Sequence, residues 1–373
     1  LRRVAVPPRR PGALPRSGDT ARMSPGFQPH IERMAGYVPG EQPRAGEFIK
    51  LNTNENPYPP SPRVAEAIVR ALDGRLRLYP DPVGSEFRRA AARLHGVDPE
   101  MILAGNGSDD LLTILTRAFV APGDTVVYPS PSYILYRTLV ELQDGRGVAV
   151  PFSSDWRLDP DAFAVGGAGW RSWPIPTALG HRAGPDRVAE LARRCAGPLV
   201  VDEAYGDFAE TNCVVLVGEH PNVIVTRSFS KGYGLAGLRL GYLIARPEVV
   251  AGLVKVKDSY NCDTLSLAGG TAALEDQEYL ALTRARILET RRRLTEAVRA
   301  LGYHVPESQA NFVWCVGGPP AAEVYQTLKD EWKILVRLMS YPGLPDGLRI
   351  TVGTDPEIDR LLVALRTFRR RGV

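Results

Sequence analysis

Cysteine is scarce. The 373 residues hold four, Cys195, Cys213, Cys262 and Cys315, with no CxxC pair. That excludes a disulfide framework and points to a reduced, cytoplasmic protein. The five histidines are scattered without metal-ligand spacing, so no metal is expected. No apolar run approaches the ~20 residues of a membrane span, so no membrane partner is expected. Charge of one sign is also lacking: the net value is only +4. Much of the basic excess sits at the two ends, in Arg2, Arg3, Arg9, Arg10 and Arg16 and in Arg369, Arg370 and Arg371. These read as solvated tails, not as a nucleic-acid face. Residues 1–22 are rich in Arg, Pro and Gly and lack the apolar core of a secretory signal. We expect them to be disordered, upstream of a natural start at Met23.

What is present is ordinary globular composition, with 44% hydrophobic and 24% charged residues. The length suits a large domain and a smaller partner. The chain is organised around Ser228-Phe229-Ser230-Lys231-Gly232-Tyr233-Gly234-Leu235-Ala236-Gly237-Leu238-Arg239. An apolar run, Asn222 to Thr226, precedes it and reads as a buried strand. The glycines let backbone come close to a ligand, and the hydroxyls with Arg239 make an anion cradle. A lysine amine beside a phosphate site suits an enzyme of pyridoxal phosphate (PLP). The plainer alternative is a Gly-rich loop with a solvated lysine.

Other stretches add to this. Met101–Ala104 reads as a strand, followed by Gly105-Asn106-Gly107-Ser108-Asp109-Asp110 and a helix from Leu111 to Val120. Strand, Gly turn and helix can aim N–H groups at a phosphate, although such turns are common. A strand at Asp124–Tyr128 leads to a turn and helix carrying Tyr133 and Tyr136. Either ring could stack on a flat cofactor or simply pack. Pro198–Asp202 is an apolar strand ending in Asp202-Glu203-Ala204-Tyr205. A carboxylate there can serve an α/β active site or cap a helix. A strand at Leu240–Ala245 and a helix from Pro247 to about Ser259 follow. The alternation over residues 100–260 predicts an α/β fold with a mostly parallel sheet between helices. A long helix, Leu282–Leu301, then leads to short strands near 311–315, 334–337 and 348–352 and a helix from Asp355 to about Arg369. That predicts a smaller α+β domain. The division expected is an arm at 23–60, a large domain at 61–265 and a small domain at 266–373.

The motifs LNTNENPYPP, GNGSDDLL, PSPSYILY, VVDEAYGDF, RSFSKGYGLAGLRLGY, SQANF and LRITVGT occur in this order between about Tyr37 and Leu365. Together they resemble the fold-type I PLP-dependent aminotransferases, and among them the histidinol-phosphate aminotransferase branch. The resemblance implies transamination of L-histidinol phosphate with 2-oxoglutarate. It implies that Lys231 holds PLP covalently and shuttles a proton. Asp202 would pair with the pyridine nitrogen, Tyr205 would bond the ring oxygen, and Tyr133 would stack on the ring. Ser108, Asp109, Ser228, Ser230 and Arg239 would hold the phosphate. Tyr58 would reach the phosphate of a neighbouring subunit, which implies a homodimer. Asn52, Arg337, Arg349 and Tyr37 would bind substrate, the arginines meeting its acidic group. Aromatic amino acid transamination and decarboxylation of a phosphorylated amino acid are the other activities this scaffold could carry.

One segment departs from the family pattern. Between the Tyr133 helix and Asp202 the family carries an apolar strand and an Asn-Pro-x-x-Pro-Thr-Gly motif. Here residues 169–181 contain Trp170, Arg171, Trp173, Pro174 and Pro176. We expect no strand from them. One back-translation of Trp170–Leu179, read one base earlier, encodes Val-Ala-Leu-Val-Ala-Asn-Pro-Asn-Ser-Pro. We read the segment as the product of a shifted reading frame.

Overall fold

The computed structural model describes residues 26–36, 40–43, 46–152, 160–163, 171–174, 184–195, 197–341 and 344–371. The N-terminal stretch 1–22 therefore lies outside the described residues. The strands are β1 Ile49–Lys50, β2 Ile102–Gly105, β3 Thr125–Ser130, β4 Arg146–Pro151, β5 Arg171–Pro174, β6 Leu199–Asp202, β7 Val223–Ser228, β8 Gly241–Ile244, β9 Phe312–Cys315, β10 Ile334–Leu335, β11 Arg337–Met339 and β12 Gly347–Thr351.

Seven strands form one sheet in the order β2-β8-β7-β6-β5-β3-β4. The run from β4 to β7 is parallel, and β8 runs against both its neighbours. Both β6 and β7 are buried at every position. Their side chains alternate between two cores: Leu199, Val201, Val223 and Val225 on one face, Val200 and Ile224 on the other. A strand covered on both faces needs an apolar run instead of alternation, which is how these stretches read in the sequence. Parallel strands also place their carboxyl ends together, so Asp202 and Ser228 finish on one edge of the sheet, next to the turn bearing Lys231.

The expectation of no strand within 169–181 is overturned. β5 pairs in parallel with β6 over all four of its residues and meets β3 at one register, Val127 against Arg171. Backbone groups of β3 and β6 need partners in the gap, and that demand overrides the local sequence. Pro174 comes last, where its missing N–H disturbs one rung only. A second correction concerns the helix after β8, which ends at Val254, not near Ser259. Beyond it the Asn261 side chain donates to Ala104 O at 3.1 Å and to the Asp110 carboxylate at 3.0 Å, drawing the chain back over the sheet. Edge strand β4 and the helices Ser85–His95, Thr264–Glu275 and Ala321–Asp330 are further elements that the sequence reading did not supply.

A three-stranded antiparallel sheet, β11-β12-β9, has its own core, with Leu294, Val298, Ile350 and Leu361 among its members. The helices Gln277–Ala300 and Asp355–Arg370 cover it. The second helix starts at a capping box, Thr354 with Glu357. The Pro-rich arm joins the two regions. β1 pairs in parallel with β10, and Leu51 O accepts from Thr351 N at 3.0 Å. Further on, Asn56 Nδ2 donates to Lys231 O at 3.0 Å and to Gly232 O at 2.8 Å. Among the described residues no helix is long and apolar enough to cross a membrane.

Candidate active site

A cavity of about 370 Å³ lies between the carboxyl edge of the large sheet, the arm and the β11–β12 hairpin. Every expected site residue lines it except Tyr58 and Tyr37. The Tyr58 ring stands away from this cavity, with the Arg286 guanidinium 5.6 Å from its centroid. Tyr37 lies outside the described residues.

Lys231 is half-buried on the turn after β7. Its Nζ donates to Thr53 O at 3.1 Å and sits 5.7 Å from the Tyr205 ring centroid. The next residue must be glycine: a Cβ on Gly232 would lie 2.2 Å from Asp207 Oδ2. Asp207 is held there by Arg227, whose Nη2 lies 2.8 Å from Asp207 Oδ1 while its Nη1 lies 2.6 Å from Glu203 Oε2. One buried guanidinium thus pins the strand end carrying Asp202 to the turn carrying Lys231. Burial pushes the Glu203 and Asp207 carboxyls up, and the Arg227 charge pulls them back.

Asp202 is 6% exposed. Its Oδ2 accepts from Tyr136 Oη at 2.5 Å, and its Oδ1 from Ala204 N at 3.1 Å and Thr226 Oγ1 at 3.2 Å. Burial raises its proton affinity, and these three bonds oppose the rise. No cationic side chain pairs with it among the described residues. A buried carboxylate with three donors and no cation is suited to a cationic ligand nitrogen.

The helix Ser108–Phe119 begins at the cavity, behind Gly107 with φ +84°. A Cβ there would lie 2.9 Å from Arg239 Nη2. Arg239 Nη1 donates to Ser230 Oγ at 3.3 Å, and Nη2 to Asp109 Oδ2 at 3.3 Å. Tyr133 Oη donates to the other Asp109 oxygen at 3.3 Å. Free helix N–H groups beside a guanidinium and hydroxyls form an anion site.

At the far side, Arg337 and Arg349 are directly opposite each other on β11 and β12. Arg349 Nη2 donates to Asn52 O at 2.9 Å, and its buried Nε has no partner among the described residues. Neither arginine pairs with a carboxylate among the described residues. Like charges face to face across a strand pair destabilise a sheet unless an anion lies between them.

Three contributors escaped the sequence reading of the site, Thr226 on Asp202, Asn54 and Tyr341, and Tyr136, read there only as a possible stacking ring, bonds Asp202 instead. Asn54 Nδ2 donates to Tyr205 Oη at 2.8 Å, and its Oδ1 accepts from Thr351 Oγ1 at 3.1 Å. Its φ of +57° in a buried turn shows how tightly the arm is folded there. Tyr136 lies one helical turn beyond Tyr133, and that spacing was the available signal. Thr226 stands opposite Asp202 across the β6–β7 pair, which only the register discloses.

A lysine amine, an uncompensated buried carboxylate and a helix-terminus anion cradle in one cavity fit the aldehyde, ring nitrogen and phosphate of PLP, and the facing arginine pair leaves an anion site beside them. The family model for aminotransferase class I and II matches residues 46–165 and 179–365, and the chain belongs to that family. The match skips most of 169–181. The chain is 49% identical over 344 residues to histidinol-phosphate aminotransferase of Rhodopirellula baltica, covering 91% of this chain and 94% of the relative. It is 45% identical to histidinol-phosphate aminotransferase of Geotalea daltonii, covering 90% and 97%. Among solved structures, histidinol-phosphate aminotransferase from Sinorhizobium meliloti in complex with pyridoxal-5'-phosphate superposes with a TM-score of 0.85 at 29% identity, over 95% of this chain and all of that one.

Proposed function

We propose that this protein is a PLP-dependent transaminase that moves the amino group of L-histidinol phosphate to 2-oxoglutarate, in histidine biosynthesis. The observation that carries this is the single cavity with a lysine and an uncompensated carboxylate at one end and a facing arginine pair at the other. PLP supplies an electron sink for the bond between the substrate's Cα and its hydrogen. The residues of this chain do the rest. Lys231 would hold the cofactor through Nζ and would carry the proton at the substrate's Cα. Asp202, oriented by Tyr136, Thr226 and the Ala204 N–H, would keep the ring nitrogen protonated. Tyr205, oriented by Asn54, would hold the ring oxygen, and Tyr133 would pack against the ring. Ser108, the Asp109 backbone N–H, Ser228, Ser230 and Arg239 would hold the phosphate end. Asn52, Arg337 and Arg349 bind the anionic end of either substrate, which lets one pocket serve both halves of the reaction.

The absence of Tyr58 from its own cavity supports a homodimer in which it completes the partner's phosphate site. We also propose the arm, large domain and small domain as bounded above, residence in the cytoplasm, and a shifted reading frame over 169–181. Resequencing the gene tests the last point. A continuous frame encoding Trp170 and Trp173 would refute it.

The test of function is a donor panel with 2-oxoglutarate: L-histidinol phosphate against phenylalanine and tyrosine. Fastest turnover of L-histidinol phosphate is expected. A preference for either aromatic amino acid would replace this reading with aromatic transamination.

A further inference from the structure

Tyr341 follows β11 by two residues and lines the cavity with Arg337 and Arg349. Its hydroxyl is buried and has no hydrogen-bond partner among the described residues. The ring is not free to turn away. It stands edge-on to Trp314 at 6.2 Å, in a small apolar cluster with Val316 and Met339. Trp314 is itself fully buried and pairs with Arg349 in the β9–β12 register. It lies across Gly347, where a Cβ would come within 2.6 Å of Trp314 Cζ2. The sheet therefore builds a rigid seat that holds a phenol beside two arginines.

A buried hydroxyl without a partner is costly, so such a group in a binding cavity points to a ligand acceptor. The two guanidiniums already serve a planar anion: a carboxylate has two oxygens in one plane and suits bidentate arginine. A phosphate monoester has three terminal oxygens in a tetrahedral array. It needs donors from a further direction. Burial pushes the Tyr341 phenol up, and the charges of Arg349 and Arg337 pull it down without cancelling the rise. The group thus keeps its proton near neutral pH and donates.

We propose that Tyr341 is a specificity-determining residue whose hydroxyl donates to the phosphate of the phosphorylated amino donor and is spare for the dicarboxylate acceptor. This rests on the transaminase reading above and assigns one residue's part in it. Removing the hydroxyl then penalises one half-reaction and spares the other.

The test is Tyr341→Phe, which keeps the ring against Trp314. The two half-reactions are followed by single turnover of the PLP-loaded protein, with L-histidinol phosphate and with L-glutamate. The ratio of the two, taken on one preparation, does not depend on how much of the variant folds. A lost hydrogen bond to a charged group predicts about a ten- to hundredfold loss of kcat/KM for L-histidinol phosphate. The loss for L-glutamate should stay under about threefold, since an exposed or spare contact contributes little. Inorganic phosphate should also protect the wild type from the donor more strongly than it protects Y341F. Equal losses on both substrates, or none on either, overturn the assignment while leaving the function standing. A wild type that loads PLP yet ignores L-histidinol phosphate overturns the function, and the assignment with it.

Discussion

Arg227 offers the sharpest test of how the site is held. Its side chain is 10% exposed, and the two carboxylates it joins, Glu203 and Asp207, are 0% and 5% exposed. Arg227→Met keeps the volume and leaves both carboxylates buried without their cation. Breaking a buried pair by removing one partner costs about 3–5 kcal/mol. The pH dependence gives a second reading. In the wild type, burial raises both carboxyls and Arg227 opposes the rise. In the variant that opposition is gone, so the folded-state values rise further above the unfolded ones of about 4. A group raised in the folded state contributes its full stability below its unfolded value and loses it as pH climbs through the folded value. The variant should therefore be weakest near pH 8 and recover part of its deficit near pH 5. Urea melts at both pH values check this. A deficit under about 1 kcal/mol, or one equal at both pH values, would refute the reasoning. The triple variant with Glu203→Gln and Asp207→Asn should regain much of the loss, because no buried charge is left unpaired.

The remaining predictions are brief. Lys231→Ala should lower transamination at least about a thousandfold, and borohydride treatment with PLP should no longer leave a label on the peptide spanning 228–239. A label persisting elsewhere at full yield would displace Lys231 from its role. Tyr136→Phe removes one of the bonds that hold the Asp202 proton affinity down, so Asp202 should take up its proton at higher pH. The acid limb of PLP binding should move upward in pH. An unmoved limb argues against the contact. Gly241→Ala would set a Cβ 2.8 Å from Ser108 N and 2.7 Å from Arg227 O. It should cost about 1–3 kcal/mol and weaken PLP binding, measured by fluorescence quenching. Unchanged stability and affinity would mean that β8 yields there easily.

Much of the site was legible in the chain because its chemistry sits at punctuation. Lys231 follows an apolar run among glycines, Asp202 ends another apolar run, and Ser108 opens a helix after a Gly turn. Each is a local pattern. Pairing across strands was not legible. Arg337 and Arg349 were expected from the family resemblance, but that they face each other, and that Thr226 faces Asp202, follows only once strand register is set. Tyr341 lacks any local signature: its meaning comes from Trp314 behind it and two arginines beside it.

The sequence alone determined the α/β class, most of the strands around the site and the candidate positions of Lys231 and Asp202. Those follow from hydrophobic period and turn chemistry, which act over a few residues. Tertiary structure decided that residues 171–174 become a strand, that the arm ties both sheets to the lysine turn, and that one guanidinium braces Asp202 against Lys231. These depend on groups far apart in the chain meeting in a dry interior. There the demand for hydrogen-bond partners and paired charges outweighs local preference.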